Sequence, residues 1–215
     1  MIVYELGSIS IVKNISETKL LRRLFVLSTC LALGGCVGGG NSTIPDTFTL
    51  SELSNIDNVG SNSRRQVLIT EPVALKTIDS EQVVVRTSPS AVQYLSGAQW
   101  NDRLPKVFQT KLARAYENSG IVGGVGLPGE GLAIDYQIVT SIRAFEINVS
   151  TPQSAIVTVS VKILNDRNGV VRARKIFTSS VVANGKTNAA YISALDLAST
   201  AVTGDIVSWS KRYVK

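Results

Sequence analysis

The sequence predicts an α+β fold: a two-layer sandwich in which a mostly antiparallel sheet carries two amphipathic helices packed on one face. Three observations lead there. Residues 131–150, 155–165 and 170–182 alternate β-branched or other apolar residues with polar ones, the period-two pattern of strands with one buried face. Asn168-Gly169, between the last two runs, is a tight-turn pair. Residues 100–118 and 187–214 instead repeat their apolar positions every three or four residues, which gives helices with one buried stripe. A sheet and two such helices bury their apolar faces as two layers.

The elements follow in order. A first short strand is expected within 47–53. The runs QVLIT (66–70) and QVVVR (82–86) are two more, separated by PVALKTIDS, whose proline and Asp-Ser pair mark turns. PSAVQYLSG (89–97) fits another strand or an extended edge. In the first helix Leu104, Val107, Phe108, Leu112 and Ala115 form the apolar stripe. Asn101 or Asp102 caps it, Pro105 falls in the first turn, and Ser119-Gly120 ends it. Lys106, Lys111, Arg114 and Glu117 occupy its outer face. In 131–150, Leu132, Ile134, Tyr136, Ile138 and Ile142 share one face, with Asp135, Gln137 and Arg143 on the other. In 155–165, Val157, Val159, Val161 and Ile163 point inward and Thr158, Ser160 and Lys162 outward. These runs form an antiparallel meander. The last helix carries Ile192, Leu195, Ala198, Val202, Ile206 and Trp209 on one stripe.

Composition narrows the chemistry. Hydrophobic residues make up 44% of the 215 and charged residues 18%, enough for one real core. The net charge of +6 is mild and lacks the basic stripe with interleaved aromatics of a nucleic-acid binder, so no nucleic acid is expected. Arg64-Arg65 and Arg172-Ala173-Arg174-Lys175 read as solvated strand ends. The chain has no histidine and only two cysteines, Cys30 and Cys36. The commonest general base and metal ligand are missing, and the body of the chain has neither a disulfide framework nor a Cys-rich zinc site. No enzyme, cofactor or metal is expected.

Remaining motifs point the same way. Residues 124–129 match G-x-G-x-x-G, but a dinucleotide loop opens a helix, and Pro128 with a strand following fits a flexible loop better. Asp135, Glu146 and Asp166 fit solvated surface roles. Tyr94, Trp100, Tyr116, Phe145 and Phe177 suit a core, although those near the Gly97-Ala98-Gln99-Trp100 turn also suit an apolar rim that meets lipid or protein.

The N-terminus reads as an address. Lys19, Arg22 and Arg23 precede LFVLSTCLAL (24–33), which is shorter than the roughly 20 apolar residues of a membrane-crossing helix and suits a secretory signal. Leu33-Gly34-Gly35-Cys36 then resembles the lipobox of bacterial lipoproteins, cut before a cysteine that carries diacylglycerol. The resemblance implies a signal peptide over 1–35, over-long at its start. It also implies acylation of Cys36, a tether over 36–46 and a folded domain over 47–215. More than one acyl chain makes such anchoring stable. Val37 is not the aspartate that retains lipoproteins of Gram-negative bacteria in the inner membrane, so the periplasmic side of the outer membrane is expected. The ten residues 37–46 span roughly 17 Å as a flexible chain.

Further pieces carry a wider resemblance. EPVALKTIDSEQVVVR (71–86), VQYLSGAQWNDRLPKVFQTKLARAYENSG (92–120), DYQIVTSIRAFEI (135–147) and ALDLA (194–198) resemble the ABC-type transport auxiliary lipoprotein family. The resemblance implies a non-enzymatic accessory of an ABC system that moves lipids between inner and outer membranes. Its partners would be an MCE-domain substrate-binding protein with its permease and ATPase. The bilayer would be met through acylated Cys36, while lipid contact and homo-oligomerisation stay open. The partner- or lipid-contacting surface is expected at Tyr94, Gln99, Trp100 and Arg103 or along a sheet edge. The rival reading is a stand-alone envelope lipoprotein that binds glycan or an assembly machine.

Overall fold

The computed structural model describes residues 44–53 and 63–214; the lipobox and Cys36 lie outside them. The α+β expectation holds: a nine-stranded mixed sheet backs onto two helices.

The sheet is organised around β7 (Tyr136–Asn148). One edge of β7 is taken along its length by β8 (Ser154–Asn165), antiparallel, and β9 (Val171–Val182) continues antiparallel beyond β8. The other edge takes three short parallel partners in succession. β2 (Gln66–Ile69) pairs at residues 136–138, β3 (Val73–Ala74) at 141–142 and β4 (Gln82–Ser88) at 146–148. β5 (Ala91–Trp100) returns antiparallel on β4, β1 (Asp46–Phe48) adds parallel to the C-terminal end of β5, and β6 (Gly124–Gly126) adds parallel to β2.

The helices cover one face only. α1 (Leu104–Ser119) lies against β2, β6 and α2 (Asn188–Ser210), and α2 crosses β8 and β9. Beneath them Val157, Val159, Val161 and Ile163 are fully buried, as their alternation predicts, and so is the α2 stripe of Leu195, Ala198 and Ile206. Trp100 packs edge-on against Phe145 with ring centroids 5.7 Å apart, a geometry aromatic quadrupoles favour. The Asn168-Gly169 turn forms as expected: Gly169 has φ +69°, and the Asn168 carboxamide accepts from the Val170 N–H at 3.0 Å.

Several local expectations are corrected. α1 begins at Leu104, because Trp100 and Asn101 are still strand-bonded. Their N–H groups donate to the Glu81 and Phe48 carbonyls at 2.7 and 2.8 Å. Arg103, not Asn101 or Asp102, sits at the N-cap without a side-chain cap, since the Asp102 carboxylate accepts from the Arg103 N–H instead. Residues 97–100 are strand rather than turn. β7 starts at Tyr136, and Leu132 is 44% exposed; Gly129 and Gly131 at φ +96° and +70° break the extended run ahead of it, a region that disfavours side chains. The glycine-rich piece read as a loop supplies edge strand β6. α2 stops at Ser210 and is capped by Thr187, whose hydroxyl accepts from the Ala190 N–H at 3.2 Å.

Candidate functional site: the strap over the helices and the β5 surface

The chain that leaves the N-terminal segment enters the fold through β1 and then runs as a strap, residues 49–53, across both helices. Its Leu50 is buried. The Ser51 N–H and hydroxyl donate to the two Asp196 oxygens at 2.9 and 2.5 Å. From α1, the Lys111 ammonium donates to the Ser51 carbonyl at 2.7 Å, to Asp196 Oδ1 at 3.0 Å and to Thr200 Oγ1 at 2.7 Å. All three of its protons are used. Arg114 pairs with Glu52 further along the strap.

Lys111 therefore does not belong to the outer helical face; its side chain is 1% exposed. The signal was in the spacing, because 104, 108, 111 and 115 fall on one stripe. A buried lysine must be compensated. Burial pulls Lys111 below its ordinary value, with Asp196 opposing that shift. Burial would raise Asp196, but donation from Ser51 and the Lys111 charge outweigh it and hold the carboxyl below its usual range. The constellation is a fastener: it joins the strap, α1 and α2 through one ammonium and one carboxylate. Beside it lies an open cleft of about 390 Å³, with Thr49, Glu52, Asn101, Asp102, Lys106 and Arg114 among its walls.

The structure separates the four predicted contact residues. Tyr94 lies at the open end of β5, 42% exposed and opposite Val84, about 20 Å along the strand from Trp100 at the usual rise per residue. Gln99 is half-buried and donates to the Thr47 hydroxyl at 3.2 Å, which helps hold β1 in the sheet. Trp100 is 1% exposed; it belongs to the core and not to an apolar rim, because β5 places it on the helix-covered face against Phe145. Arg103 Nε donates to Asp79 Oδ1 at 2.7 Å, and its Nη2 forms ion pairs with Asp79 at 2.6 Å and Glu71 at 3.0 Å. It ties the start of α1 to the β3–β4 connection, so two of the sequence pieces that carry the family resemblance meet there.

The predicted surface carboxylates also divide. Glu146 is 5% exposed and takes a two-point contact from Arg86, which corrects its solvated reading. Asp135 accepts from the Gln66 N–H at 3.1 Å and from Arg65 at 2.9 Å. The backbone donor first, against burial and with both neighbouring arginines adding, holds it below its ordinary value. Among the described residues no group of three or more His, Cys, Asp or Glu is placed to hold a metal, and no helix is long and apolar enough to cross a membrane.

Comparison with known proteins places this arrangement. An uncharacterized protein of Bradyrhizobium diazoefficiens is 24% identical over 176 residues, which cover 80% of this chain and 47% of that protein; the chain thus spans about half the length of this curated relative. Among solved structures, protein XCC0632 of Xanthomonas campestris is 24% identical with a TM-score of 0.73, over 78% of this chain and 95% of that one. The hypothetical protein CT253 of Chlamydia trachomatis is 11% identical with a TM-score of 0.51, over 71% and 98%. Both are likenesses of fold. The model of the ABC-type transport auxiliary lipoprotein component family matches residues 48–207, from the last residue of β1 nearly to the end of α2, and the chain belongs to that family.

Proposed function

We propose that this chain is the lipid-anchored accessory of an MCE-type ABC system that moves lipids between the inner and outer membranes. Acyl chains on Cys36 hold it on the periplasmic side of the outer membrane, and residues 37–46 tether the folded body to them. The observation that carries the reading is the family match over residues 48–207, whose description names a transport auxiliary lipoprotein. The strap supports it mechanically, because a body hung from its N-terminus is pulled through β1 and residues 49–53, the segment that Lys111 and Asp196 fasten to both helices. In this role the chain does no chemistry. It docks on the substrate-binding component and holds it near the outer membrane, with the exposed Tyr94 on the docking side.

The test is a crosslinked pull-down from detergent-solubilised envelopes, with Cys36→Ala as control. The expected result is an MCE-domain protein with its permease and ATPase, lost in the variant. A partner list of peptidoglycan or outer-membrane assembly proteins would sink the reading and favour a stand-alone envelope lipoprotein.

A further inference from the structure

The two-layer fold leaves the second face of the sheet without a covering element among the described residues. Register shows what lies on it. One cross-strand row runs Val73, Ser141, Ser160, Ile176; the next row carries Val139, Lys162 and Arg174. Thr158 and Thr178 face each other on the adjoining row with their hydroxyls 3.1 Å apart; because Thr158, Ser160 and Lys162 alternate with the buried Val157, Val159 and Val161 beneath the helices, this face points away from them. Val73 is 67% exposed and Ile176 50%.

Lys162 directly opposite Arg174 is a like-charge cross-strand pair, an arrangement that costs a sheet stability. No carboxylate lies within ion-pair distance of either among the described residues. The one-residue irregularities in the β7–β8 and β8–β9 ladders fall at Arg143 in β7 and Arg172 in β9, both exposed. Arg174 of the basic run expected as a solvated strand end thus faces Lys162 on this surface, with the exposed aliphatic side chains of Val73 and Ile176 on the neighbouring row, whereas Lys175 pairs with Val161 on the helix side and lies 4.9 Å from the Phe177 ring centroid.

We infer that this open face docks on the anionic phospholipid headgroups of the bilayer to which the chain is tethered. Charge complementarity selects an anionic occupant. Interleaved aliphatic and basic side chains suit a headgroup layer, where apolar groups enter the acyl boundary and ammonium and guanidinium groups stay at the phosphates. The nine residues from Cys36 to Ile44 keep that layer within reach at a high effective concentration. The geometry of reach rests on the anchored reading above; the surface itself does not.

The test uses the mature chain on vesicles of phosphatidylcholine alone and of phosphatidylcholine with phosphatidylglycerol, carrying a spin label through Thr178→Cys. Accessibility of the label to a water-soluble nickel relaxant reads the face. Protection is expected on the anionic vesicles only, and it weakens as salt rises. Lys162→Gln with Arg174→Gln should lower the ratio of docked to undocked protein by about thirtyfold, at about fivefold per basic residue. The same variant should unfold at slightly higher denaturant, since it removes a like-charge pair, so lost protection is not lost fold. An unacylated chain would leave neutral vesicles but still be drawn to anionic ones, so the anchor and the face fail separately. A label equally open on both vesicles, or protection that survives the double substitution, overturns the inference and hands the face to an acidic protein surface.

Discussion

Lys111→Met isolates the fastener. Methionine fills the channel between α1 and α2 at nearly the same volume but deletes three donated hydrogen bonds, to Ser51, Asp196 and Thr200. Bonds from a charged donor contribute about 1.5–3 kcal/mol each, and the loss is offset by no longer burying an ammonium, a cost of several kcal/mol. Asp196 is not stranded, because it keeps both Ser51 donors and its side chain is 23% exposed. The balance is a loss of about 2–3 kcal/mol, below the 3–5 that follows when one partner of a fully buried pair is removed. In a domain of this size that lowers the melting temperature by about 5–10 °C. Urea unfolding followed by the fluorescence of Trp100 and Trp209, both buried, reads it.

The pH dependence supplies a second check with a definite sign. Asp196 titrates below its ordinary value in the folded chain, so its contribution is present above the unfolded pKa and is lost as pH falls through the folded one. Lys111→Met removes one of the influences that lower it, so in the variant the acid limb, whose onset is set by the unfolded pKa, should be smaller and should end at higher pH. Lys111 is also lowered, chiefly by burial. Between its folded and unfolded pKa the unfolded chain holds the extra proton, so the parent should gain stability as pH rises through that window, and the variant should not. A loss under about 0.5 kcal/mol, the scatter of ordinary surface substitutions, together with an unmoved acid limb, would refute the fastener.

Three other outcomes follow from the same geometry. Trp100→Ala should cost about 3–5 kcal/mol as a core cavity, whereas Tyr94→Ala should stay within about 0.5 kcal/mol and, where Tyr94 meets the partner, reduce crosslinked recovery; denaturant titration and pull-down separate the two. Gly123→Ala should destabilise by about 1–3 kcal/mol, because its Cβ would meet the Ser63 carbonyl oxygen at 2.8 Å and Arg64 Cα at 2.9 Å, which are backbone atoms that cannot swing aside. Arg103→Ala should leave the global unfolding midpoint near that of the parent, since its ion pairs are half-exposed, and should loosen hydrogen-exchange protection locally in the β3–β4 connection and the first turn of α1.

How far the sequence carried depended on the reach of each interaction. The meander β7–β8–β9 was legible because the ten residues of alternation in 154–163 need only local pattern and one Asn-Gly turn. The short parallel pairings of β1, β2, β3, β4 and β6 were not, since two or three residues of register leave no periodic trace and depend on what β7 offers at its edge. Trp100 misled for a related reason: its neighbours Asn101 and Asp102 resemble a helix cap, while the bonds that keep it in the sheet run to Glu81 and to β1. Lys111 was visible in the helical stripe, but its partners Ser51 and Asp196 lie 60 and 85 residues away. The basic run 172–175 was legible as charge; that Arg174 faces Lys162 emerges only from register.

The anchored reading stands or falls on Cys36, and intact-mass spectrometry of the mature chain from native envelopes tests it most directly. The account predicts a chain whose first residue is Cys36, heavier than its amino acids by a diacylglyceryl group and, in the fully processed form, one further acyl chain. A chain that keeps residues 1–35, or that begins at Cys36 without lipid, would contradict it.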